Sequence, residues 1–136
     1  MTTTPQAEPY LAIKALMMPR DTNSQGTIFG GVILSFIDQA GAVGARHEIR
    51  RAGWPDQPML TVAMDRVEFH EAVFVGEVVS FRTELLRVGR TSIAMHVTVD
   101  VERDSQIVKL TEADVTYVTV KLSDGSRQPV PVRGAS

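Results

Sequence analysis

Between Asp21 and Arg46 the chain carries a single ionisable side chain, Asp38. The stretch around it, residues 27–45 (TIFGGVILSFIDQAGAVGA), is otherwise almost wholly apolar. From about residue 30 to 50 the pattern is helical and apolar nearly all round, which calls for a central helix wrapped by other elements. A membrane span is rejected, because Asp38 and Gln39 sit near its centre and four glycines (Gly30, Gly31, Gly41, Gly44) interrupt it. The cover must therefore come from the rest of the chain.

That cover reads as strand. Residues 10–18 (YLAIKALMM) form a first strand stopped by Pro19, and residues 19–26 (PRDTNSQG) have the composition of a loop. After the helix come strands over 60–69, 76–88, 91–101 and 107–120. The fourth strand alternates, with Ile93, Met95, Val97, Val99 and Val101 on one face and Ser92, Ala94, His96, Thr98 and Asp100 on the other. The VGRT turn (residues 88–91) makes the third and fourth strands antiparallel neighbours. The fold class is α+β: a single domain over residues 1–136, with an antiparallel sheet around one long helix. Residues 8–120 form the core, and 121–136 are expected to be a flexible C-terminal tail.

Composition narrows the function. Cysteine is absent, which removes disulfides and thiolate chemistry. The three histidines, His47, His70 and His96, have no metal-ligand spacing, so no metal site is expected. A net charge of −2 without a Lys/Arg cluster argues against nucleic acid, while leaving room for a local anion site. The N-terminus lacks the basic start and apolar core of a secretory signal, so a cytoplasmic protein is expected.

A carboxylate within such apolar surroundings loses solvation, so it is either paired structurally or used chemically. Its neighbours bear on the choice. Gly30–Gly31 at a helix start can pack against a sheet, or can aim free N–H groups at a developing oxyanion. Asn23, in DTN, can form an Asx-turn or face a ligand. Eight residues of helix separate Gly30 from Asp38, a rise of roughly 12 Å. Both groups must lie within about 3 Å of reacting atoms to serve one carbonyl. Two antiparallel helices would bring Gly30 of one chain beside Asp38 of another, so chemistry here requires at least a dimer.

The run MPRDTNSQGTIFGGVILSFIDQAGAVGA, with VAMDRVEFHEAVFVGEVV and VGRTSI downstream, resembles the hotdog-fold acyl-CoA thioesterases of the YciA-like and cytosolic acyl-CoA hydrolase group. The likeness spans about residues 11–133. Val32 stands where Trp is often found, and Ile37 precedes Asp38 where Met is common; both departures bear on the acyl pocket. The resemblance implies an acyl-CoA thioesterase with Asp38 as the catalytic carboxylate, either general base or nucleophile. Gly30 would be the backbone donor to the thioester oxygen, and Asn23 would orient water or hold the carboxylate. Gly31 would belong to the same substrate site.

Coenzyme A carries phosphates, so Arg87, Gly89, Arg90, Thr91 and Ser92 at the hairpin turn, with Arg127 and Arg133 from the tail, are the expected binding set. No separate cofactor is implied, since CoA is part of the substrate. Phe36, Phe69 and Phe74 are candidates for the acyl site. Arg66 and His70 are expected to be structural, and His96 to lie at a subunit contact or in solvent. Self-association is expected, with related proteins suggesting a trimer of dimers. The alternative keeps the fold as a non-catalytic acyl-CoA-binding module. A hotdog hydratase would need a catalytic His near Asp38, and the loop and helix supply none.

Overall fold

The alternation legible in the fourth strand organises the whole sheet. In the computed structural model, which describes residues 8–135, β4 (Ser92–Arg103) buries Ile93, Met95, Val97 and Val99 completely. It pairs antiparallel with β3 (Val78–Val88) on one side and β5 (Gln106–Ser123) on the other. Outside β3 lies β1 (Tyr10–Leu16), and outside β5 lies β2 (Met59–Phe69), giving the order β1-β3-β4-β5-β2. Every pairing is antiparallel.

One helix, α1 (Gly30–Ala52), lies on the apolar face. Its buried residues are Ile33, Ile37, Ala40, Gly41, Gly44, Ala45 and Ile49, a single stripe at helical spacing. Two glycines set how closely it approaches the sheet. A Cβ at Gly41 would overlap the hydroxyl of Tyr117, and one at Gly44 would overlap Thr83. Gly53 ends the helix with φ 77°, donating to the Arg50 carbonyl at 3.1 Å, while Trp54 N–H reaches the Ile49 carbonyl at 3.0 Å. No helix among the described residues is long and apolar enough to cross a membrane.

Two sequence expectations change. The helix is not wrapped on all sides: Gly31, Ser35, Gln39, Val43, Arg46 and Arg50 are exposed, because one open sheet covers one face only. Residues 121–135 also do more than trail away. β5 continues to Ser123, and Asp124–Gly125 (φ 47° and 77°) turn the chain into β6 (Ser126–Pro129), which pairs back on β5. Beyond it Val132 is fully buried, and its N–H donates to the Arg90 carbonyl at 2.9 Å.

An ion pair ties β4 to the segment before β3. Arg103 donates to Glu77 through Nε at 2.7 Å and Nη2 at 2.6 Å, and lies 5.4 Å from the Phe74 ring. The hydrogen bonds from Arg103 hold the Glu77 carboxyl below its ordinary value. A depressed carboxyl contributes stability above its unfolded pKa and loses it as pH falls through the folded one. Glu77→Gln is thus expected to cost about 1–2 kcal/mol at neutral pH. Urea midpoints at pH 7 and pH 3 should show that gap narrowing under acid.

Candidate active site

Asp38 sits midway along α1, half-buried at the edge of the covered stripe. Its Oδ1 accepts a hydrogen bond from the Thr61 hydroxyl on β2 at 2.7 Å. Its backbone carbonyl accepts one from the Tyr117 hydroxyl on β5 at 2.6 Å. Burial, and then the charge of Asp38, push the Tyr117 phenol far above its usual range, so it remains a donor. The side-chain partner of Asp38 is a neutral hydroxyl rather than a cation. Thr61 orients the carboxylate.

Gly30 opens α1 after Phe29, and no side chain caps this end. Among the described residues the Gly30 and Gly31 N–H groups have no protein acceptor outside the helix. Crowding does not explain the first glycine, since a Cβ at Gly30 would meet the Phe69 ring at an ordinary 3.5 Å. Gly31 faces solvent, and a Cβ there would press on the exposed Phe29 ring at 2.6 Å. A helix N-terminus with uncapped N–H groups favours an anion or a developing oxyanion.

The preceding loop is held by its own side chains. Asn23 Nδ2 donates to Thr27 Oγ1 at 2.9 Å, and its Oδ1 accepts from the N–H groups of Gln25 (2.9 Å) and Thr27 (3.2 Å). Asp21 accepts from Met18 N–H at 3.0 Å, and its carbonyl receives the Phe29 N–H at 2.8 Å. Within one chain the Asn23 amide therefore shapes the approach to Gly30 and is not beside Asp38. Strand register keeps the two ends of the helix apart as well. Asp38 lies at the level of Thr61 and Tyr117, while Gly30 lies against Phe69, which pairs with Thr111 nearer the start of β5.

The arginines divide. Gly89, Arg90 and Arg133 line one cavity of about 480 Å³ with Val88, Pro131 and Gly134. Arg133 also lies over Trp54, 5.0 Å from its centroid. Ser92 Oγ is next to Gly89, where an added Cβ would approach it to 2.7 Å, and the Thr91 carbonyl receives Thr119 N–H at 2.9 Å. Arg87 lines a different cavity with Arg66 and Asp114, and Arg127 is exposed on β6. Of the aromatic candidates, Phe69 lines the cavity at Gly30. Phe36 packs on Phe81 at 5.4 Å, and Phe74 lies beneath Arg103.

On the sheet face away from α1, His96 bridges Asp114 (Nδ1, 2.6 Å) and Glu112 (Nε2, 3.2 Å). His70 meets Glu112 at 2.8 Å, and Arg66 approaches Asp114 at 3.9 Å. His70 first, then Lys109 and His96, hold the Glu112 carboxyl below its usual range, against its own burial. Glu68, His70 and Glu112 bring three possible metal-ligand atoms within 4.8 Å of one another, but cross-strand pairing already accounts for them.

With this geometry in hand, the known proteins it resembles decide the family. A family model for the thioesterase superfamily matches residues 25–108. The chain belongs to the thioesterase superfamily. This thioesterase is 37% identical over 139 residues to the acyl-CoA thioester hydrolase YciA of Salmonella typhimurium, covering 98% of each chain. Among solved structures it is similar to a hexameric hotdog-fold thioesterase of Campylobacter jejuni (Cj0915). That match has a TM-score of 0.75 and 40% identity, over 89% of this chain and 90% of the other. It is also similar to the hexameric broad-specificity acyl-coenzyme A thioesterase HI0827, in an aspartate-to-alanine variant (TM-score 0.77, 33% identity, 91% and 88% covered). The thioesterase is a single hotdog domain, as its family resemblance implies.

Sequence reasoning missed Thr61 and Tyr117. No spacing rule ties Thr61 to Asp38, because their contact depends on β2 lying at the sheet edge beside β5. Tyr117 did carry a signal: an aromatic hydroxyl inside an apolar strand needs a partner, and Gly41 leaves the space for it.

Proposed function

We propose that this thioesterase hydrolyses acyl-CoA to the free acid and CoA, in an assembly of at least two chains. The observation that carries the reading is the pair of groups on one helix. Among the described residues Asp38 is an oriented carboxylate without a cationic side-chain partner, and the Gly30 N–H, at the start of the same helix, has no acceptor. In this reading Gly30 of one chain faces Asp38 of the next. The N–H and the helix dipole hold the thioester oxygen as it becomes negative, worth about 10²–10³ in rate. Asp38 Oδ2 takes the proton of an attacking water, or itself adds to the carbonyl; the thiolate leaves with little acid assistance. In the second route water then opens the resulting anhydride, and oxygen-18 from water found in Asp38 after a single turnover marks that route with opening at the Asp38 carbonyl. Asn23 serves by fixing the loop that aims Gly30, and Gly31 leaves that loop open to the ester.

The cavity at Arg90 and Arg133 supports CoA binding, since two guanidinium groups and the bare Gly89 backbone suit phosphate. Thr91 and Ser92 add hydroxyls to the same turn, while Arg87 and Arg127 would reach the nucleotide only from a neighbouring chain. The named relatives, an acyl-CoA thioester hydrolase and two hexamers, support the substrate class and a hexamer, which this reading builds as a trimer of dimers. Free-thiol release from acyl-CoAs of increasing chain length tests the activity. Tight binding of these esters without release would instead make the chain an acyl-CoA-binding module. Arg90→Ala is expected to raise KM about tenfold with kcat nearly unchanged, the signature of lost uniform binding. Steady-state kinetics on one ester checks it.

A further inference from the structure

Two buried hydroxyls, those of Thr83 and Thr111, have no hydrogen-bond partner among the described residues. A buried hydroxyl without a partner costs free energy, and valine would fill the same space without that cost. Thr83 has a packing setting: it is pressed against Gly44 beneath the helix. Thr111 differs, because it lines a cavity.

That cavity, about 360 Å³, lies at the N-terminus of α1 and is lined by Ile28, Gly30, Ile33, Phe69 and Val73 along with Thr111. Thr111 is 0% exposed and lies on the helix side of β5, in alternation with Ala113, Val115 and Tyr117, whose hydroxyl reaches α1. Its cross-strand partner is Phe69, and the Phe69 ring abuts Gly30. An apolar cavity thus begins at the group assigned to the thioester oxygen, and one residue of its wall carries a buried, unsatisfied hydroxyl. His70 and Glu71 also line it, but the His70 ring is engaged by Glu112.

We infer that this cavity receives the acyl chain and that Thr111 selects acyl groups carrying a hydroxyl or keto oxygen along the chain. The inference rests on the acyl-CoA reading above. A hydroxyl both donates and accepts, so Thr111 can meet either oxygen type. An unsubstituted chain leaves it unpaired, whereas an oxygenated chain exchanges its own hydration for that bond. Discrimination comes from the polar group that one ligand satisfies and the other does not.

The test compares hexanoyl-CoA with its 2-, 3- and 4-hydroxy and 3-oxo derivatives, using wild type, Thr111→Val and Thr111→Ser. Wild type is expected to favour at least one oxygenated ester in kcat/KM. Thr111→Val should lower that preference, read as the ratio of kcat/KM for the oxygenated ester to that for hexanoyl-CoA, about five- to tenfold, and Thr111→Ser should retain it. A wild type indifferent to every oxygen, or a preference that survives Thr111→Val, overturns the inference. Binding of the corresponding non-hydrolysable thioethers, measured by calorimetry, reads the same ratio without turnover. If no ester is cleaved, the hydrolase reading fails, and the thioether ratio alone upholds or overturns the role of Thr111.

Discussion

Asp38→Asn is expected to lower kcat for acyl-CoA hydrolysis by at least about 100-fold, or roughly 2.7 kcal/mol of barrier. The substitution keeps the shape of the side chain and an oxygen that can still accept from Thr61. It leaves the backbone carbonyl to Tyr117. What it removes is the basic, nucleophilic oxygen. KM and melting temperature should therefore stay close to wild type, since the contacts that hold the helix are untouched. Parallel thiol-release and thermal-melt measurements separate this from simple unfolding. A variant that keeps a tenth or more of the wild-type rate would show that Asp38 is not the reacting carboxylate.

The second large effect is on stability. Gly44→Ala ought to help a helix, because alanine is favoured over glycine there by about 1 kcal/mol. Here the added Cβ would overlap the Thr83 hydroxyl and lie only 2.6 Å from Thr83 Cβ and 2.9 Å from its Cγ2. Thr83 is itself buried, and a β-branched side chain in a strand has little freedom to retreat. Overpacking should win, for a net loss of about 2–3 kcal/mol. Denaturant midpoints of Gly44→Ala, Thr83→Ala and the double variant test the cause as well as the size. The double variant should recover part of the loss, because Thr83→Ala removes the hydroxyl and the methyl but keeps the Cβ that lies 2.6 Å from the new one. If Gly44→Ala alone stabilises the protein, Thr83 does not set the distance between helix and sheet.

How far the sequence carries depends on whether a feature is local. The alternation of Ile93 to Val101 and the glycine-broken apolar helix are periodic signals, and both elements stand where their periodicity puts them. Strand order is not local. Nothing in residues 59–69 says that β2 lies beside β5, yet that adjacency is what brings Thr61 to Asp38. Arg87 and Arg90 look equivalent in the sequence. In the fold Arg90 is in the turn, while Arg87 is three residues back on β3 and opens onto another cavity. Asp124–Gly125 is a hairpin-turn pair, but the polar, proline-containing composition around it led to the expectation of a flexible tail. Asp38 was expected to lose solvation because its neighbours are apolar. A single sheet covers only one side of those neighbours, and the carboxylate sits at the border.

The uncovered side of α1 makes stability a matter of mass action. Phe29, at its start, is 57% exposed, and Val43, further along, is 41% exposed. Where a second copy covers this face, each association removes apolar surface from water, and that free energy is added to folding. For a dimer, each tenfold rise in protein concentration is then worth about 1.4 kcal/mol. Melting temperature and specific activity would climb together as the solution is concentrated and fall together on dilution.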